Sequence, residues 1–160
     1  MNNGEFYLAD AIDVIEEILA GGGEFRMYPK GTSMLPLIVQ GRDSVVLRRR
    51  EGVPVKKHDI AFYRRDNGQF VLHRVMRVEN DGSYVMCGDN QIDLEYGVRR
   101  DQIIGYVSCL YKGEKVRSMR TFSYRMYLCF YCWLPFRKAT RFPGRVKGAV
   151  SRRIRRRNKS

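Results

Sequence analysis

One serine and one histidine in this 160-residue chain have the type and setting needed for nucleophilic catalysis. Ser33 lies in the turn-like stretch KGTSMLPLI, and His73 lies in VLHRV, within a run that alternates like a strand. A serine hydroxyl becomes a good nucleophile only when a base removes its proton, and a neutral imidazole suits that task. His58, the other of the two histidines, lies where a turn enters a strand and is predicted to be a solvated turn residue. We therefore pair Ser33 with His73.

A carboxylate is the third group expected in such a site, because it orients the base and stabilises its charged form. The stretch CGDNQID places Asp89 and Asp93 on a turn sixteen and twenty residues after His73, a separation that suits a returning hairpin. Taken singly, each of these features is also typical of ordinary turns and core histidines.

The elements that must position these residues are predicted to be β-strands. Runs rich in Val, Ile, Tyr and Phe alternate with turn residues, as in DSVVLR, DIAFYR, QFVLHRVMRV, SYVMC and IIGYVSCLY. Asn67-Gly68 and Asp81-Gly82 separate neighbouring runs and favour primed hairpin turns. The sequence therefore predicts a mainly β domain, built from antiparallel hairpins, over residues 24–117.

The first 23 residues predict an amphipathic helix and a glycine linker. Apolar residues recur at helical spacing between residues 6 and 20, with acids on the other face, and GGG at 21–23 ends the pattern. The acids and the lack of a preceding basic segment argue against a signal peptide or a membrane anchor here.

An apolar segment and then a basic one follow the β domain. Residues 126–136, MYLCFYCWLPF, carry no charge, and as a helix they would extend about 16 Å, about half of a hydrocarbon core. We expect residues 118–136 to form a helix that either lies in a membrane interface or covers a sheet edge. Residues 137–160 hold 11 of the 30 Lys and Arg and no acid, which predicts peripheral attachment to an anionic membrane surface.

The four cysteines include a C-x-x-C pair, Cys129 and Cys132, among bulky aromatic residues. No second ligand pair accompanies it, so we expect buried or membrane-facing thiols, and neither a metal nor a cofactor. Whether the two thiols pair with each other stays open.

Considered together and in order, these motifs resemble the signal peptidase I superfamily of serine peptidases, closest to its endoplasmic-reticulum and archaeal type. The resemblance covers residues 26–108. GTSMLPLIVQGRDSVVL corresponds to the serine box, KKHDIAFYR to a strand-starting box, VLHRVMRV to the His-Arg-Val box and CGDNQID to the Gly-Asp-Asn box. The resemblance implies a β peptidase domain of the kind found in signal peptidase and LexA.

The resemblance also implies roles for individual residues. Ser33 matches the nucleophile, His73 the general base and Asp89 the acid of the Gly-Asp-Asn box. Asp93 lies near a second family carboxylate that assists the histidine, and Glu95 competes for that role.

The remaining implied roles concern the substrate. Gly31 and the backbone N–H of Ser33 correspond to the oxyanion pocket, whereas Met34 and Pro36 would shape the cleft and fix the turn. The implied activity is cleavage of an extended peptide or preprotein after a small residue, through an acyl-enzyme. The peptide would add to the β domain as an extra strand.

Two alternatives remain open at this point. Ala20-Gly21 is the kind of bond that self-cleaving repressors of the same superfamily cut, and thirteen extended residues could span about 40 Å to Ser33. Alternatively, the basic tail could bind nucleic acid without catalysis, although the β runs lack a basic and aromatic recognition pattern. Nucleic acid is the less favoured partner.

Overall fold

A computed structural model describes residues 8–49, 52–117, 119 and 121–131 of the chain, and these form a mainly β structure with two helices. The helices are α1 (Leu8–Ala20) and α2 (Phe122–Tyr131). The strands are β1 (Phe25–Met27), β2 (Asp43–Arg48), β3 (Ile60–Arg64), β4 (Phe70–Val78), β5 (Tyr84–Cys87), β6 (Glu95–Val98), β7 (Ile103–Lys112) and β8 (Lys115–Arg117). A 3₁₀ turn, Arg100–Gln102, precedes β7. The predicted fold class is confirmed.

All eight strands belong to one antiparallel sheet with the order β1-β2-β7-β3-β4-β5-β6. The long β7 pairs with β2 along one edge; on its other edge its first half pairs with β3 and its end pairs with β8. The short β6 and β8 were not predicted, because both runs are brief and largely exposed and therefore lack the apolar alternation that marks a strand.

The two central hairpins have a turn that differs from the primed type favoured by their sequences. In each, the glycine amide donates to the carbonyl three residues earlier, Gly68 to Arg65 and Gly82 to Glu79. Only the glycine has a positive φ, 82° and 83°, and the preceding Asn67 and Asp81 do not. These are the type I turns with a glycine bulge that three-residue loops adopt, so the prediction of primed turns was wrong.

Alternate residues of the central strands enter two apolar clusters, one on each face of the sheet. On β3, for example, Ile60 and Phe62 join the first cluster, whereas Ala61 and Tyr63 join the second. The first cluster also receives α1, α2 and the segment between β1 and β2. His73 therefore shares its face with Tyr63, because Ala61 is its direct cross-strand partner.

Helix α1 forms as its periodicity predicts, and it covers the first cluster through Ile12, Ile15 and Leu19. Burial of each of these side chains contributes about 1.5–3 kcal/mol. Residues 1–7 of the predicted segment lie outside the described residues.

Helix α2 confirms a C-terminal helix within the predicted segment 118–136, beginning at Phe122. Residues 118, 120, 132–136 and the basic segment 137–160 lie outside the described residues. In the part of the chain that the structure describes, no helix is both long and apolar enough to cross a membrane.

Candidate active site

Ser33 and His73 line the same cavity, which has a volume of about 220 Å³. Ser33 lies in the turn between β1 and β2 and is half-buried, whereas His73 lies in the middle of β4 and is only 4% exposed. Among the described residues, no protein group forms a hydrogen bond with the Ser33 hydroxyl. The structure therefore brings the predicted nucleophile and base to one cavity, with the hydroxyl available for a reaction.

The Gly-Asp-Asn loop supports the turn that carries the serine. The amide of Asn90 donates to the carbonyl oxygen of Ser33 at 2.6 Å, and its side chain donates to the carbonyl of Thr32 at 3.0 Å. A Cβ on Gly88 would lie only 2.6 Å from the same Ser33 oxygen, so this approach requires glycine. The motif thus has a direct structural role beside Ser33.

Asp43 holds the other end of the serine turn. Its buried carboxylate accepts hydrogen bonds from the amide of Val39 at 2.8 Å and from Arg42 at 2.7 Å, and it pairs with Lys112 at 3.1 Å. Burial alone would raise the pKa of Asp43, but these hydrogen bonds together hold it well below its usual range. The charged group anchors the turn to β2 and β7.

The third group beside His73 is a tyrosine. The hydroxyl of Tyr63 lies 3.3 Å from Nδ1 of His73 and 2.8 Å from Oε2 of Glu95. Because the single phenolic proton is donated to the Glu95 carboxylate, the tyrosine oxygen accepts from His73, which places the ring proton on Nδ1. Nε2 is then left with the lone pair that a general base needs.

Arg65 fixes the carboxylate at the far end of this chain of contacts. Its guanidinium donates to both oxygens of Glu95, at 2.8 and 2.6 Å. Burial would raise the pKa of Glu95, but the hydrogen bonds from Arg65 and Tyr63 outweigh it and lower the pKa. Burial and the neighbouring carboxylate raise the pKa of Tyr63. Glu95 therefore stays charged and Tyr63 neutral near neutral pH.

His73 is held in the neutral form. Burial, followed by the positive charge of Arg65, lowers its pKa from 6.5 to about 4, against the smaller opposing effects of Glu95 and Asp89. The imidazole is therefore unprotonated near neutral pH and able to accept a proton.

Asp89, the acid predicted to complete a Ser-His-Asp site, is bound to Arg74 and not to His73. Its two carboxylate oxygens accept from Arg74 at 2.7 and 2.6 Å, and both side chains are fully buried. Tyr127 of α2 donates to the same carboxylate at 2.8 Å. Since the ring of His73 bonds to Tyr63 instead, Asp89 influences the base only through space.

The choice between Asp93 and Glu95 is answered by their positions. Asp93 is exposed, and its backbone carbonyl accepts a hydrogen bond from the thiol of Cys87 at 3.4 Å. Glu95 reaches His73 through one intervening hydroxyl. Of the two, Glu95 is the carboxylate linked to the base.

Of the residues predicted to form the oxyanion pocket and the cleft, Gly31, Ser33 and Met34 line the cavity and Pro36 does not. The amide of Gly31 donates to the side chain of Gln40 at 2.6 Å, so it is already occupied. Within the described residues, the amide of Ser33 has no protein acceptor, and it remains available as an oxyanion donor. Met34 is buried and lines the cavity, whereas Pro36 is exposed and outside the cavity lining.

Residues of the site that the sequence reasoning missed include Tyr63, Arg65, Arg74 and Asp43. The hairpin sequence did contain a pattern that places Tyr63 beside His73. A hairpin centred on Asn67 pairs residue 61 with 73 and residue 63 with 71, which places Tyr63 diagonally opposite His73 on the same face. Arg65 and Glu95 come together across a loop whose path no local pattern predicts.

Among the described residues, the potential metal ligands do not cluster. No group of three or more His, Cys, Asp or Glu side chains within the described ranges could hold a metal ion. Cys87, Cys109 and Cys129 are not in disulfide bonds, and Cys132 lies outside the described residues. His58 lies in a turn as predicted but is half-buried, and burial lowers its pKa.

Comparison with known proteins gives no family assignment. The chain matches no protein-family model, and a search of curated proteins found no match.

Proposed function

We propose that this chain is a serine endopeptidase resembling signal peptidase I, with Ser33 as nucleophile and His73 as general base. One observation carries the proposal: the serine and a neutral histidine line the same cavity. The hydrogen bond from Nδ1 of His73 to Tyr63 leaves Nε2 to accept the serine proton.

The reaction follows the acyl-enzyme route. His73 Nε2 takes the proton of Ser33 as Oγ attacks the peptide carbonyl, and the N–H of Ser33 donates to the developing oxyanion. The imidazolium then gives its proton to the leaving amine as the C–N bond breaks. Water, deprotonated by the same nitrogen, hydrolyses the ester and restores both groups.

The Tyr63–Glu95 pair takes the part that a directly bonded aspartate plays in other hydrolases. The hydroxyl fixes the ring and its tautomer, and the charge of Glu95 stabilises the imidazolium through the shared tyrosine. Asp89 and Arg74 instead support the loop that contacts Ser33.

The substrate proposed is an extended peptide that adds to the sheet. Strand β4 pairs with β5 only from Arg74 onward, so among the described strands none covers the β5-facing edge of residues 70–73. These four residues also line the Ser33 cavity. A peptide laid along this edge would bring its carbonyl to Ser33, and the limited volume favours a small residue before the cut.

Self-cleavage is less favoured by the positions of the residues concerned. The amide of Gly21 bonds to the carbonyl of Glu17 at 3.0 Å, and Ala20 lines a different cavity from Ser33. Cleavage of the Ala20-Gly21 bond would require the end of α1 to unwind and move.

The test is cleavage of a peptide with Ala before the scissile bond, followed by mass spectrometry. We expect Ser33→Ala and His73→Gln each to lower kcat by about a thousandfold or more. The matched controls Ser123→Ala and His58→Gln should cleave like the wild type. Equal cleavage by all five proteins would contradict the proposal.

A further inference from the structure

Helix α2 carries a largely exposed apolar stripe. Phe122, Met126 and Phe130 are 78%, 38% and 51% exposed. Their four-residue spacing places them along one side of the helix. The opposite side, with Tyr124, Tyr127 and Leu128, packs on the first core cluster. The stripe therefore faces away from the domain.

The surroundings of α2 are cationic. A groove of about 580 Å³ beside the helix, to which Tyr124 and Leu128 contribute, is also lined by Arg48, Lys56, Lys57, Arg117 and a single acid, Asp59. Arg48 pairs with Glu24, and Arg117 donates to Ser123 of the helix. The exposed Arg125 adds a cation on α2 itself.

The chain beyond the described part of α2 carries the same charge. Residues 137–160 hold 11 Lys and Arg and no acid. Exposed aromatic residues next to clustered cations match the interface of an anionic bilayer, where apolar groups enter the headgroup boundary and cations meet phosphates. A duplex nucleic acid would contact the cations through its phosphates but would leave the apolar stripe in water.

We propose that the α2 stripe, Phe122, Met126 and Phe130, docks this domain on an anionic lipid surface. The inference is independent of catalysis, and with the proposed function it also indicates where the substrate lies. Tyr127 bonds to Asp89, and the adjacent Asn90 bonds to Ser33, so α2 is separated from the serine turn by one short loop. The docked enzyme would cut peptides that lie at the membrane surface.

The experiment is flotation of the full chain with vesicles of phosphatidylcholine and phosphatidylserine in equal parts, and with phosphatidylcholine alone. The test variant is Phe122→Glu/Met126→Glu, and the matched control is Val14→Glu, at an exposed apolar residue of α1. We expect the wild type and control to float with the anionic vesicles, and the double variant to bind at least about tenfold more weakly.

Several outcomes would overturn the proposal. Failure of the wild type to float with anionic vesicles would contradict docking. Equal flotation of the double variant and the wild type would assign binding to the basic segment alone. Dissociation of a wild-type dimer by the double substitution, measured by sedimentation without lipid, would assign the stripe to a second copy. Loss of RNA retention without loss of flotation would assign it to nucleic acid.

Peptide cleavage distinguishes failure of this inference from failure of the proposed function. The double variant should cleave a soluble peptide at the wild-type rate but lose cleavage of the same peptide attached to a lipid. Equal rates on the lipid-attached peptide would contradict the docking role and leave Ser33 chemistry intact.

Discussion

Tyr63 and His73 lie diagonally across the β3–β4 pair, with 3.3 Å between the phenolic oxygen and Nδ1. The same hydroxyl donates to Glu95, which fixes the histidine proton on Nδ1 and leaves Nε2 able to accept a proton. The hydroxyl of Tyr63 therefore orients the ring of His73.

Tyr63→Phe is expected to lower kcat about tenfold with little change in KM, because one hydrogen bond that orients the base is lost. The control is Tyr84→Phe, a buried tyrosine on β5 in the same core cluster, which should retain wild-type kinetics. Steady-state kinetics of peptide cleavage measures both. An unchanged kcat in Tyr63→Phe would remove the tyrosine from the mechanism.

Glu95→Gln should lower kcat, since a neutral amide at this position cannot stabilise the imidazolium through Tyr63. Asp93→Asn should leave kcat unchanged, because that carboxylate is exposed and has no link to His73. The two variants remove the same charge two residues apart. A lower kcat for Asp93→Asn than for Glu95→Gln would instead assign the stabilising role to Asp93.

Asp89→Asn should reduce the free energy of unfolding by about 3–5 kcal/mol, because it leaves the fully buried Arg74 without its charged partner. Tyr127→Phe removes the tyrosine hydrogen bond to the same carboxylate and should cost about 1 kcal/mol. Urea unfolding followed by circular dichroism measures both. A stable but inactive Asp89→Asn protein would indicate that Asp89 acts in catalysis.

Acid should destabilise the protein through His73. Its pKa in the fold, about 4, is below the ordinary 6.5, so the unfolded chain binds the proton first as pH falls. The stabilising contribution is complete above pH 6.5 and is lost as pH falls to about 4, a decrease of roughly 3 kcal/mol. Unfolding free energies of the wild type and His73→Gln should converge over this range. Parallel curves would contradict the shift.

Local patterns were sufficient to predict most of the strands, α1 and the helical character of α2, because apolar periodicity reports which side of an element is buried. The same alternation placed His73 on a buried face, and the motif order placed it with Ser33. The role of Asp89 was harder to predict, since its partner is the neighbouring strand residue Arg74, which faces the opposite side from His73. Arg65 and Glu95 are thirty positions apart in the chain, so no local pattern indicates their contact.

Covalent labelling with a fluorophosphonate probe tests the central claim most directly, because the probe reacts with activated serine hydroxyls. Peptide mapping of the labelled wild-type protein should locate one adduct on Ser33, and His73→Gln should react at least about a hundredfold more slowly. His58→Gln should react at the wild-type rate. Labelling of another residue, or equal labelling of Ser33 in His73→Gln, would contradict the Ser33–His73 mechanism.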